Sequence, residues 1–142
     1  MIVYETYGYY GGPADIHVVN VDGSDDRNLT PDTEDSMELD PQLSPDGSRI
    51  VFISNRVTET NADGNFEIFT MAIDGSDVRQ VTETQDPFDQ GGVQSSNPTW
   101  SPDGSQIAFD GYRGLYEASE IYAINVDGSG ERRITSSACA NV

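Results

Sequence analysis

A chain of 142 residues with 25 acidic against 7 basic side chains carries a formal net charge of −18. No basic patch is available to neutralise phosphates, which excludes nucleic acid and an anionic membrane surface as partners. No run of about 18 apolar residues is present to insert in a membrane, and the single cysteine, Cys139, excludes an internal disulfide.

In chain order the β-rich runs are Ile2–Thr6, Ile16–Val21, Ile50–Ser54, Phe66–Ile73, Ile107–Asp110 and Ile121–Val126. All are rich in Val, Ile, Phe and Tyr and bounded by Gly, Asn, Asp and Pro, as strands are. No segment has the spacing of an amphipathic helix. A further short strand precedes each of two turns, Pro41-Gln42-Leu43-Ser44-Pro45-Asp46-Gly47-Ser48 and Pro98-Thr99-Trp100-Ser101-Pro102-Asp103-Gly104-Ser105. There proline presets φ at the first corner and glycine accepts positive φ later.

An Asp-Gly-Ser triplet begins at Asp22, Asp74 and Asp127, each eight residues before Thr30, Thr82 or Thr135. Self-similarity at this period is the signature of a solenoid, propeller or array. The unit has strand A before Ser-Pro-Asp-Gly-Ser, strand B after it, strand C before Asp-Gly-Ser, and strand D ending at the threonine.

The segments SPDGSRIVF (44–52), SPDGSQIAF (101–109) and EIYAINVDGSGERRIT (120–135) resemble the repeats of TolB-like β-propellers, a WD-like family. The resemblance covers nearly the whole chain. It implies an all-β fold of three four-stranded antiparallel blades, 1–37, 38–94 and 95–142, the first lacking its own strand A. It also implies a partial propeller completed by another chain, since rings of about six to eight blades are the rule. For function it implies a secreted or periplasmic module that binds protein partners without chemistry. The alternative is the propeller part of a larger hydrolase or lyase.

Loop lengths separate two faces. Ile2 to Ile16 and Ile107 to Ile121 are both 14 residues, whereas Ile50 to Ile68 is 18; the crossovers Thr30–Ser44 and Thr82–Ser101 also differ. In an up-and-down sheet the B–C and D–A loops share one face, so variation is confined to it, where binding loops are expected. That face is expected to carry Asp32, Glu34, Asp35, Glu38, Asp40, Glu59, Asp63, Glu67, Glu83, Asp86, Asp89, Glu117 and Glu120.

Within the long hairpin, Asn61, Asp63, Asn65 and Glu67 alternate oxygen side chains around Gly64, a set that could fold onto one Ca2+. The glycine does not stand where the EF-hand pattern puts it, and Asp63-Gly64 is also a plain turn pair. The carboxylates opening strand C, Asp15, Glu67 and Glu120, recur in every copy and point to a structural role, capping loop amides or facing the channel. Arg56 and Arg113 end strand B and are expected to reach a neighbouring blade's carboxylates. Asn28-Leu29-Thr30 is an N-glycosylation sequon.

Catalysis finds little support. His17, the only histidine, lies inside strand C, and no Gly-x-Ser-x-Gly elbow appears. Self-association is the expectation instead: Ala138, Cys139, Ala140, Asn141 and Val142 supply the missing strand A to blade one of another copy, beside Ile2 and Tyr4. This heterologous contact closes a ring or propagates a fibre, giving a homo-oligomer.

Overall fold

The computed structural model describes residues 1–8, 12–31, 36–62, 64–84, 94–113 and 118–136. Among them there is strand and turn but no helix, in three antiparallel sheets. Blade one is three-stranded: β1 (Ile2–Gly8), β2 (Gly12–Val19) and β3 (Arg27–Asn28), in that order. Blade two has β4 (Glu38–Leu43), β5 (Arg49–Ser54), β6 (Glu67–Ala72) and β7 (Arg79–Gln80). Blade three has β8 (Gln94–Trp100), β9 (Gln106–Tyr112), β10 (Glu120–Asn125) and β11 (Arg132–Arg133). Strand D is thus reduced to two residues per blade. The B–C hairpin of blade one is longer than the sequence suggested, reaching Gly8 and restarting at Gly12.

Register makes the copies superimposable residue by residue. Tyr4 faces His17, Phe52 faces Phe69, and Phe109 faces Tyr122 across the B–C ladder. The ring pairs lie 5.4, 5.9 and 5.8 Å apart, the latter two stacked. Because strand side chains alternate, this row fills one side of each sheet and the row of Ile16, Ile68 and Ile121 fills the other.

The core lies between blades. Ile16 of blade one packs with Ile50, Phe52, Phe69 and Met71 of blade two, and Val3 and Leu29 close the cluster. Val51, Ile53, Ile68 and Val81 of blade two pack with Ile107, Phe109, Tyr122 and Ile124 of blade three. Each sheet is covered because its neighbour is present, as repeat architectures require. Strands of blade one touch blade two and those of blade two touch blade three, but among the described strands blade three does not reach blade one. The array is open.

The Asp-Gly-Ser turn is part of the same packing. Gly75 has φ +86°, and a Cβ there would stand 3.0 Å from the Leu29 carbonyl oxygen of the preceding blade. Gly128 repeats this against Val81, also at 3.0 Å, whereas Gly23, at the open side of blade one, meets nothing within 4 Å.

Candidate functional site

Three places carry the polar chemistry. The first is the threonine clamp of each repeat. The hydroxyls of Thr30, Thr82 and Thr135 accept the amides of Ile16, Ile68 and Ile121, each at 2.9 Å. Thr82 in turn donates to Glu67, and Thr135 to Glu120. Glu67 also receives the Thr84 amide at 2.7 Å and the Thr84 hydroxyl. Burial raises the Glu67 pKa, and these donors work against that shift. The strand-C carboxylates therefore hold strand D and the loop behind it.

Glu38, Glu67 and Glu120 are buried at 0, 0 and 3 % exposure, which corrects their placement on the acidic loop surface. Glu38 accepts Ser36 and Ser54 hydroxyls at 2.8 and 2.7 Å and Arg56 Nη2 at 3.1 Å. Arg56 thus binds its own blade, not a neighbour's, and lies 5.5 and 5.1 Å over the Phe52 and Phe69 rings. Arg113 lies over Phe109 and Tyr122 and pairs with Glu131 at 3.1 Å, and its charge also favours the ionised form of Glu67 in the preceding blade, as the sequence suggested. The aromatic pair sets this choice, because a planar guanidinium stacks on the rings while its fork reaches carboxylate.

Second, strand A of both complete blades carries a bulge at an X-Pro pair. Asp40-Pro41 and Asn97-Pro98 interrupt the A–B ladder, with φ +53° at Asp40 and +50° at Asn97. Asp and Asn tolerate this region better than other side chains. The bulges line up three blades: the Asp40 amide of blade two donates to Glu5 of blade one at 2.7 Å, and the Asn97 amide of blade three donates to the Asp40 carboxylate, while Asn97 Nδ2 donates within blade three to Asp110 at 2.6 Å. Burial, then the Glu5 and Asp110 charges, push the Asp40 carboxyl above its ordinary range. A cleft of about 400 Å³ opens beside Tyr4, Glu5, Asp40, Pro41 and Asn97. The sequence reading missed Glu5 and Asp110; the matched positions of Asp40-Pro41 and Asn97-Pro98 were the available signal.

Third, the two Ser-Pro-Asp-Gly turns flank a cleft of about 360 Å³ lined by Pro45, Asp46, Arg49, Trp100, Pro102, Asp103 and Val126. Ser44 hydroxyl and Ser48 amide bonds hold Asp46 at about 2, and Ser101 and Ser105 do the same for Asp103.

The predicted residues fall as follows. Asn61 is buried, its Nδ2 closing the hairpin onto the Arg56 and Asn65 carbonyls, both at 2.9 Å. Asp63 lies outside the described residues. The Glu67 oxygens accept from Thr82 and Thr84, and Asn61 Oδ1 is buried without a hydrogen-bond partner among the described residues. No group of three or more His, Cys, Asp or Glu among the described residues could hold a metal. Asn28 donates to Asp15 at 2.8 Å and accepts the Thr30 amide at 2.9 Å. Ile2 is exposed on the open side of blade one. Tyr4 is half-buried there and donates to Asp26 at 2.8 Å, with His17 Nδ1 3.2 Å from the same carboxylate. Residues 138–142 lie outside the described residues.

Antiparallel four-stranded sheets packed face to face, each with its A–D order, are blades of a β-propeller, and this chain is a partial one. Its repeats are those of the TolB-like β-propeller family. No family model matches the sequence. The chain is 30% identical over 98 residues to the uncharacterized peptidase YuxL of Bacillus subtilis, covering 68% of this chain and 13% of that protein. It is 27% identical over 129 residues to the Tol-Pal system protein TolB of Francisella tularensis subsp. mediasiatica, covering 91% of this chain and 26% of that protein. The solved structure of putative TolB from Agrobacterium tumefaciens superposes with a TM-score of 0.70 at 22% identity, over 92% of this chain and 44% of that one. The chain thus spans about an eighth to a quarter of the curated relatives' length.

Proposed function

We propose that the chain is a non-catalytic propeller segment that acts by binding proteins, beginning with a second copy of itself, in the periplasm or outside the cell. One observation carries the reading. Ile121 and Ile134 are 40 and 55 % exposed on blade three, at positions whose counterparts Ile68 and Val81 are buried by the next blade. Blade one offers the complementary side, with Ile2 exposed and Gly23 unopposed. Joining the two repeats an interface already made twice within the chain. Two three-blade arrays joined at both ends make a closed ring; joined at one, a fibre.

The test uses the turn-to-strand contact as a ruler. Gly75→Cys with Leu29→Cys, in a Cys139→Ser background, should form a disulfide within one chain, because a Cβ at Gly75 stands 3.4 Å from that of Leu29. Gly23→Cys with Ile134→Cys should cross-link two chains. Formation of the first without the second would overturn the proposed assembly.

A second reading is favoured by the similarity to a peptidase: the blades belong to a larger hydrolase or lyase, whose catalytic residues lie elsewhere. A catalytic domain encoded in the same reading frame would select it.

A further inference from the structure

We propose that the cleft between the Ser-Pro-Asp-Gly turns of blades two and three docks an extended segment of a partner protein through an arginine side chain. This rests on the protein-binding reading but not on ring closure, since both walls belong to one chain. The turns touch: a Cβ on Gly104 would lie 3.7 Å from Pro45 Cδ, so Asp46 and Asp103 stand on neighbouring corners. Between them the lining is Pro45, Trp100, Pro102 and Val126. Arg49 does not neutralise the cleft, because its guanidinium is engaged by Asp77 at 2.8 Å and Thr70 at 3.1 Å. The Asp103 side-chain bonds fall on Oδ1, from Ser101 and Ser105, which leaves Oδ2 without a partner among the described residues.

An apolar, proline-walled cleft bearing two carboxylates and an indole selects a cation that is flat and weakly hydrated. A guanidinium meets each requirement, stacking on aromatic surface while its fork pairs with carboxylate. The turns hold both aspartates ionised across the physiological range, and the −18 chain draws basic partners toward it. A volume of about 360 Å³ accepts one long side chain with its flanking backbone, and not a folded element.

Trp100 is the only tryptophan, so its fluorescence reports on this cleft directly. The full chain is titrated with the blocked peptide Gly-Pro-Arg-Pro-Gly and with its citrulline counterpart, which keeps the shape and removes the charge. Saturable binding of the arginine peptide, weakened by salt and about ten-fold weaker for citrulline, is expected. Asp46→Asn with Asp103→Asn keeps an acceptor for the turn amides and should weaken binding about ten-fold at a temperature well below the variant's own melting transition. Asp22→Asn, on a turn outside the cleft, should not. No saturable change, equal binding of citrulline, or an unaffected double variant would overturn the inference. Cross-linked dimers that fail this titration would remove the cleft and leave the assembly standing.

Discussion

The hydroxyl of Thr82 accepts the Ile68 amide at 2.9 Å and donates a hydrogen bond to Glu67, tying strand D to strand C through one group. Replacing it with valine keeps the shape and strands a buried amide and a buried carboxylate oxygen. Thr82→Val should lower stability by about 1–3 kcal/mol in denaturant titration, and Thr82→Ser by clearly less. Equal losses would show that the methyl, not the hydroxyl, matters.

Arg56 is the counter-charge of fully buried Glu38. Removing one member of a buried pair leaves the other uncompensated, so Arg56→Ala should cost about 3–5 kcal/mol. Lysine keeps the charge but loses the stack on Phe52 and Phe69, and should fall between. Urea unfolding of the three proteins orders them; Arg56→Lys matching wild type would remove the rings from the account.

Alanine at a positive-φ glycine is strained wherever it stands, by about 1–2 kcal/mol. At Gly75 and Gly128 the new methyl also meets a carbonyl oxygen of the preceding blade at 3.0 Å, while at Gly23 it meets open space. Below the assembly concentration, Gly75→Ala and Gly128→Ala should therefore destabilise more than Gly23→Ala. In the assembled state Gly23→Ala should instead weaken association.

Acid acts in two opposite senses. The Asp46 and Asp103 pKa values are depressed to about 2, so the stability they confer is complete above the ordinary 3.8 and is lost as pH falls toward 2. Glu67 and Asp40 are raised; their contribution is complete below the ordinary carboxylate value and is lost as pH rises through the raised one. Relief of the net negative charge adds to the second effect. Melting temperature should rise on acidification from neutrality, peak at about pH 4–5 and then fall. Asp46→Asn with Asp103→Asn should flatten only the acid limb.

The repeat was legible because turn chemistry and β-branched runs are local. Gly47 and Gly104 do take positive φ, and the threonine that ends each repeat proves to be a ladder clamp. Burial was not legible for Glu38, Glu67 and Glu120: Glu67 and Glu120 are held by the threonine that ends strand D, and Glu38, on strand A, by Ser36, Ser54 and Arg56, partners that only the fold brings up. Arg56 was seen at the end of strand B, but its partner depends on a rotamer set by the Phe52–Phe69 stack. Glu5, Asp40, Asn97 and Asp110 come from three blades and meet only through the fold.

The central claim is that the open blade faces are interfaces. Light scattering on the eluting full chain measures it most directly. A dimer of twice 15.4 kDa, or a larger multiple, that falls to the single-chain mass in Ile121→Glu with Ile134→Glu is the predicted result. A well-folded wild-type chain at 15.4 kDa across the accessible concentration range would contradict it.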